Sequence, residues 1–150
     1  MTVIIGFGNL LLKDEGVGIH IIQSMQELSL KKNGKLVIMD GGTCPDILYL
    51  LPEGVDKLIL VDAVKGGGNP GDIYRFTPND LTFSSAIFTS VHQFGIAEGL
   101  RGLALLDDNP KETIIIGVEP KEIDWGIEIS PELIEILPQV VDLLEKEISK

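Results

Sequence analysis

The stretch Thr2-Val3-Ile4-Ile5-Gly6-Phe7-Gly8-Asn9 decides the fold. Residues 2–6 form a near-continuous apolar run, the pattern of a strand buried on both faces of a parallel sheet. Two glycines break the run before a segment of helical periodicity. From about residue 14 to residue 28, Ile21, Ile22, Met25 and Leu28 fall on one face. The same alternation recurs downstream. Residues 36–39 (LVIM) stop at Asp40-Gly41-Gly42, residues 58–61 (LILV) stop at Asp62, and residues 113–116 (TIII) stop at Gly117. Each run is too short for a helix and reads as a parallel strand. Residues 46–51 fit one or two helical turns, and residues 93–105 place Ile96, Leu100 and Leu103 together. Ser130-Pro131-Glu132 opens a last helix, with Ser as N-cap, Pro at the first helical position and an acid at the positive dipole end. Pro138 sits within its apolar stripe and is expected to kink or divide it.

Residues 71–77 (GDIYRFT) alternate in polarity. They follow the third strand after a loop, residues 64–70, too short for a helical crossover. That strand is expected to run antiparallel at a sheet edge. The order βαβαββαβα predicts one α/β domain over residues 1–150. It is a three-layer αβα sandwich around a five-stranded, mostly parallel sheet with one antiparallel edge strand.

Composition narrows the function. The 150 residues are 44% hydrophobic and 23% charged, which is globular rather than disordered. Twelve basic against 23 acidic side chains give a net charge of −11. No basic stripe is present for a nucleic-acid backbone or an anionic membrane surface. The excess is uneven: residues 1–75 hold 7 basic and 9 acidic side chains, residues 76–150 hold 5 and 14. The lone Cys44 has no internal disulfide partner and fits a reducing compartment. The first residues lack a basic n-region, and Gly6, Gly8 and Asn9 interrupt their apolar run, so they do not read as a signal peptide. No segment approaches the roughly 20 apolar residues of a membrane span. A cytoplasmic protein is expected, and the oligomeric state is not legible.

Chemistry concentrates at the ends of the strands. Gly6-Phe7-Gly8, with Asp40 at the end of the second strand, suggests a dinucleotide fingerprint, but Leu11 stands where its third glycine belongs. Asp14-Glu15-Gly16-Val17-Gly18 is an unusual first turn, since each glycine inside a helix costs ~1 kcal/mol relative to alanine. Asp14 can cap the helix, which leaves Glu15 unexplained. The two glycines point to close backbone approach that shapes a site, or to a loop that extends further before the helix begins. A bulky residue at either position is expected to stop activity while the fold survives. Open α/β sheets place their sites beyond the carboxyl ends of strands. If strands one and three are neighbours, Glu15 and Asp62 meet there. Of the two histidines, His20 lies mid-helix, a surface or partly buried position. His92, in Thr89-Ser90-Val91-His92-Gln93, comes just before the third helix at the same edge. Two carboxylates and one imidazole could ligate a first-row divalent metal with positions left open. No zincin helix or nucleophile elbow is present. Cys44 reads as an inert small residue in a turn.

These blocks resemble the hydrogenase maturation endopeptidases, proteases that trim the C-terminus of the large subunit of nickel–iron hydrogenases. The resemblance runs through residues 6–18 (GFGNLLLKDEGVG), Asp40-Gly41-Gly42-Thr43, Val61-Asp62-Ala63 and Ser90-Val91-His92-Gln93. It continues through Gly117-Val118-Glu119-Pro120 and Trp125-Gly126. It implies a twisted five-stranded sheet flanked by helices, and a metal-engaging, catalytic trio of Glu15, Asp62 and His92. It further implies that Ni²⁺ is presented by the precursor, with another divalent metal able to stand in, and that cleavage follows a His or Arg beyond the last metal-binding cysteine motif. Two other readings stay open: a chaperone that holds the nickel-loaded precursor without cutting it, and a Rossmann-like nucleotide binder.

Overall fold

The computed structural model describes residues 1–43, 47–81, 98–107 and 109–150. Strand β1 (Thr2–Phe7) leads through a 3₁₀ turn (Lys13–Gly16) into helix α1 (Val17–Lys31) and strand β2 (Leu36–Gly42). Helix α2 (Ile47–Leu50) and strand β3 (Lys57–Ala63) follow, then strand β4 (Ile73–Phe76) and a single turn α3 (Pro78–Leu81). Residues 98–103 are helical (α4). Strand β5 (Glu112–Val118) and helix α5 (Pro131–Ser149) complete the order.

The five strands lie in the order β2-β1-β3-β5-β4. The pairs β1–β2, β1–β3 and β3–β5 are parallel, and β4 runs antiparallel to β5 at the edge. The short loop before β4 explains that edge strand, because it leaves no length for a crossover. Every residue of β3 is buried, as its continuous apolar run requires. Side chains alternate between two cores. Ile59, Val61 and Ala63 face the layer of α1 and α5, with Ile21, Ile22, Met25, Leu133, Val140 and Leu144. Leu58 and Leu60 face the other layer, with Ile47 of α2 and Leu100 and Leu103 of α4. This is the expected αβα sandwich.

The topology fixes where a site belongs. From β1 the chain moves outward to β2, then crosses back over β1 to reach β3. Strand order therefore reverses between β1 and β3, and the crevice at their carboxyl ends is open to a ligand.

Two local expectations need correction. Helix α1 begins at Val17 rather than near Asp14, because residues 13–16 wind as a tighter 3₁₀ turn. Helix α5 is not divided at Pro138 but runs as one helix from Pro131 to Ser149. Burial of Leu133, Val140 and Leu144 along one stripe outweighs the roughly 3 kcal/mol that an internal proline costs.

The opposite, amino-terminal edge of the sheet is held by buried charge. Glu147 of α5 is 1% exposed. Its carboxylate accepts from Arg75 Nε at 2.8 Å and pairs with Lys57 Nζ at 3.5 Å and Lys150 Nζ at 3.2 Å. Lys57 Nζ also donates to the Glu147 carbonyl at 2.7 Å. The Arg75 hydrogen bond outweighs the cost of burial and, with Lys150, holds the Glu147 carboxyl at about 2, against an ordinary value of 4.5. A depressed carboxylate stabilises the fold above its unfolded pKa, and that contribution fades as pH falls through the folded value. Stability of the wild type is therefore expected to drop between about pH 4.5 and 2. Glu147→Gln, less stable at neutral pH, should show a shallower drop in that window by denaturant melts. Parallel curves would contradict the assignment.

Candidate functional site

The site is built on close backbone packing at the carboxyl ends of β1 and β3. A Cβ at Gly18 would stand 2.3 Å from the Phe7 carbonyl oxygen and 2.6 Å from that of Val61. A Cβ at Gly6 would stand 2.6 Å from the Gly18 carbonyl oxygen. Only glycines let the first turn of α1 rest directly on both strand ends. Register pairs Gly6 with Val61, so Asp62 follows at the level of Phe7 on the neighbouring strand. The condition for Glu15 and Asp62 to share an edge is met, and the 3₁₀ turn that carries Glu15 packs against β3.

Both carboxylates are largely withdrawn from solvent, Asp62 at 2% and Glu15 at 8% exposure. Asp62 Oδ1 accepts the Ala63 N–H at 2.8 Å. Alternation along β3 puts Asp62 on the same side as Leu58 and Leu60, the side that α4 covers. His92 lies on the chain leading into α4, outside the described residues, as do Cys44 and the start of the predicted 93–105 helix. Among the described residues no three His, Cys, Asp or Glu side chains group to hold a metal.

Glu15 is set by its neighbour. Asp14 is 0% exposed and its carboxylate accepts four hydrogen bonds. Oδ2 takes the N–H groups of Lys121 at 2.9 Å and Glu122 at 2.8 Å and the Ser130 hydroxyl at 2.7 Å. Oδ1 takes the Ser130 N–H at 2.7 Å. Burial pushes the Asp14 carboxyl up, yet these donors, the Ser130 N–H foremost, hold it below the ordinary carboxylate range. Asp14 thus caps the distant start of α5 rather than its own helix. Ser130 stands at the N-cap as expected, but its hydroxyl makes no capping bond and serves Asp14 instead. Lys13 is forced into the left-handed region at φ 47°, with its N–H held by the Gly126 carbonyl at 2.9 Å.

The sequence reading also passed over the role of Glu119. This residue is buried just after β5, and its Oε2 accepts the Gly66 N–H at 2.7 Å and the Tyr74 hydroxyl at 3.3 Å. That clamps the loop leaving β3 one turn beyond Asp62. The only available signal was its place in Gly117-Val118-Glu119-Pro120.

The family model for hydrogenase maturation proteases matches residues 19–147. The chain belongs to that family. It is 32% identical over 142 residues to the hydrogenase expression/formation protein HupD of Thiocapsa roseopersicina, covering 93% of this chain and 64% of that one. It is 30% identical to the hydrogenase 2 maturation protease of Escherichia coli, covering 85% of this chain and 78% of that one. The chain thus spans just under two thirds of the first relative's length and more of the second's. The solved structure of the NiFe hydrogenase maturation protease HybD from Thermococcus kodakarensis superposes with a TM-score of 0.82 at 28% identity, covering 98% of each chain. The family model and the Escherichia coli relative both carry the name of maturation protease, which describes a peptide hydrolase.

Within this family member the glycine loop has no room to spare for a dinucleotide. In the fingerprint the second glycine lets a pyrophosphate approach. Here a Cβ at Gly8 would stand 2.3 Å from the Glu15 carbonyl oxygen, so the chain fills that space itself. Asp40 Oδ1 accepts its own turn's Gly42 N–H at 2.7 Å.

The expectation that both glycine replacements spare the fold is corrected for Gly18, whose neighbours are backbone atoms in the core. A Cβ at Gly16 meets Leu10 Cα at 3.0 Å and Asn9 O at 3.1 Å, contacts well short of the overlap at Gly18. Gly18→Val is expected to lose cooperative melting. Gly16→Ala should melt within ~5 °C of wild type. A Gly18→Val protein that melts like wild type would contradict the packing account.

Proposed function

We propose that the protein is a cytoplasmic endopeptidase that removes a C-terminal peptide from the nickel-loaded precursor of a nickel–iron hydrogenase large subunit. The observation that supports this reading is that Glu15 and Asp62, two buried carboxylates, both lie at the carboxyl ends of β1 and β3, where strand order reverses. His92 completes the trio from the segment before α4. Nickel belongs to the substrate. It arrives in the precursor's cysteine-rich site with positions open, and the protease supplies carboxylate and imidazole ligands that suit a borderline divalent ion. An empty precursor lacks that bridge and binds weakly, so cleavage waits for metal insertion.

The chemistry then needs little else. The precursor's nickel orients the scissile peptide or polarises its carbonyl. One of the two carboxylates, Glu15 or Asp62, takes a proton from water as its oxygen attacks the carbonyl carbon. The C–N bond breaks, and the leaving amine takes the proton. Water as nucleophile and carboxylates as base are what the term aspartyl endopeptidase describes, and no covalent intermediate is required. The low exposure of both carboxylates supports the reading, because electrostatic interactions strengthen away from bulk water. A chaperone that holds the precursor would share the ligands and lack the cut.

The ligand assignment is checked by Ni²⁺ and Cd²⁺ titration of the isolated protein. Glu15→Gln, Asp62→Asn and His92→Ala are each expected to weaken binding ~10-fold or more. Wild-type affinity in His92→Ala would remove it from the trio.

A further inference from the structure

The loop after β1 and the segment between β5 and α5 lie side by side. The Gly126 N–H donates to the Leu11 carbonyl at 2.9 Å, the Lys13 N–H donates to the Gly126 carbonyl at 2.9 Å, and Leu12 bridges Gly126 in parallel. The pair carries apolar side chains into solvent. Trp125 is 75% exposed, Ile127 71% and Leu11 56%, with Leu10 and Ile123 beside them. Trp125 is the chain's single tryptophan, and among the described residues its ring stacks on no other. An exposed, contiguous apolar patch marks a binding surface more often than idle surface.

The patch is rigid. The backbone N–H of Trp125 donates to Asp124 Oδ1 at 2.8 Å, and both backbone groups of Gly126 are bonded. Lys13 pairs with Glu122 at 2.7 Å along its rim, and its side chain runs over Gly126. The patch is also continuous with the candidate active site. Glu15 donates its N–H to the Leu12 carbonyl at 3.1 Å and accepts the Asn9 N–H at 3.3 Å. The loop that displays Leu10 and Leu11 is therefore bonded on both sides to the backbone of Glu15. Asp14 fixes the other half through the N–H groups of Lys121 and Glu122. Whatever rests on Leu11 and Trp125 is held in register with the carboxylate.

We propose that Leu11, Trp125 and Ile127 form the docking surface for an apolar segment of the hydrogenase large-subunit precursor next to its scissile bond. This rests on the function proposed above. The occupant is a polypeptide because the proposed site cuts one, and it is apolar because the patch presents hydrocarbon and the Lys13 ammonium beside it is already paired with Glu122. Tryptophan is among the side chains that most often dominate binding energy at protein interfaces. A surface fused to Glu15 makes docking and alignment a single event.

A single tryptophan permits a direct test. The protein is labelled with 5-fluorotryptophan and mixed with unlabelled nickel-loaded precursor, using Glu15→Gln to block turnover. The ¹⁹F resonance of Trp125 is expected to shift on binding. Trp125→Ser and Ile127→Ser should raise KM for the intact precursor ~10-fold or more, with kcat within about twofold of wild type. Their melting temperatures and Ni²⁺ affinities should match wild type, as the side chains are exposed. An unmoved ¹⁹F signal with unchanged KM overturns the docking surface while cleavage by wild type leaves the enzyme reading standing. Binding with a ¹⁹F shift but no cleavage by wild type overturns the enzyme reading alone. A dimer in sedimentation that Trp125→Ser dissociates overturns the proposal in favour of a second copy of the chain.

Discussion

A buried carboxylate with four hydrogen-bond donors organises this molecule around its site. Alone in the interior, the Asp14 anion would carry a desolvation cost of several kcal/mol. Its donors come from the turn at residues 121–122 and from Ser130, at the amino end of α5, where the helix dipole also favours negative charge. The cost is offset only when all of these are in place. Folding of the first loop, of the segment after β5 and of the start of α5 is therefore coupled. Glu15, the next residue, inherits a fixed position from that coupling.

The sheet supplies the second half of the geometry. Its switch point brings the ends of β1 and β3 together, and Gly18 and Gly6 thin the helix–sheet contact until backbone meets backbone. The candidate carboxylates Glu15 and Asp62 lie at this edge, while the buried Glu147 network lies at the other. The ion pairs of Glu147 and the acids proposed for the chemistry are thus separated by the length of the strands. The net charge of −11 told only what the protein avoids. The individual placement of Asp14, Glu15, Asp62 and Glu147 tells what each acid does.

The strands were legible because each is a compact apolar run ended by glycine or aspartate. The antiparallel edge was legible because a loop of seven residues cannot hold a crossover. The shared edge of Glu15 and Asp62 was legible because β1 and β3 are neighbours. What escaped was long-range. Asp14 and Ser130 are 116 positions apart, and no local pattern ties them, so each was read as a cap of its own helix. Pro138 was read by propensity, and lateral packing overrode it. The cost of a Cβ at Gly18 depends on Val61, which no spacing rule connects to it. His92 falls outside the described residues, so its place in the trio rests on the motif.

The most direct measurement of the central claim is the mass of the precursor after incubation with the protein. Nickel-loaded and nickel-free large-subunit precursor are treated in parallel. The account predicts loss of one C-terminal peptide from the loaded form alone, with none in the Asp62→Asn protein. An untrimmed loaded precursor, or equal trimming of the empty one, would contradict it.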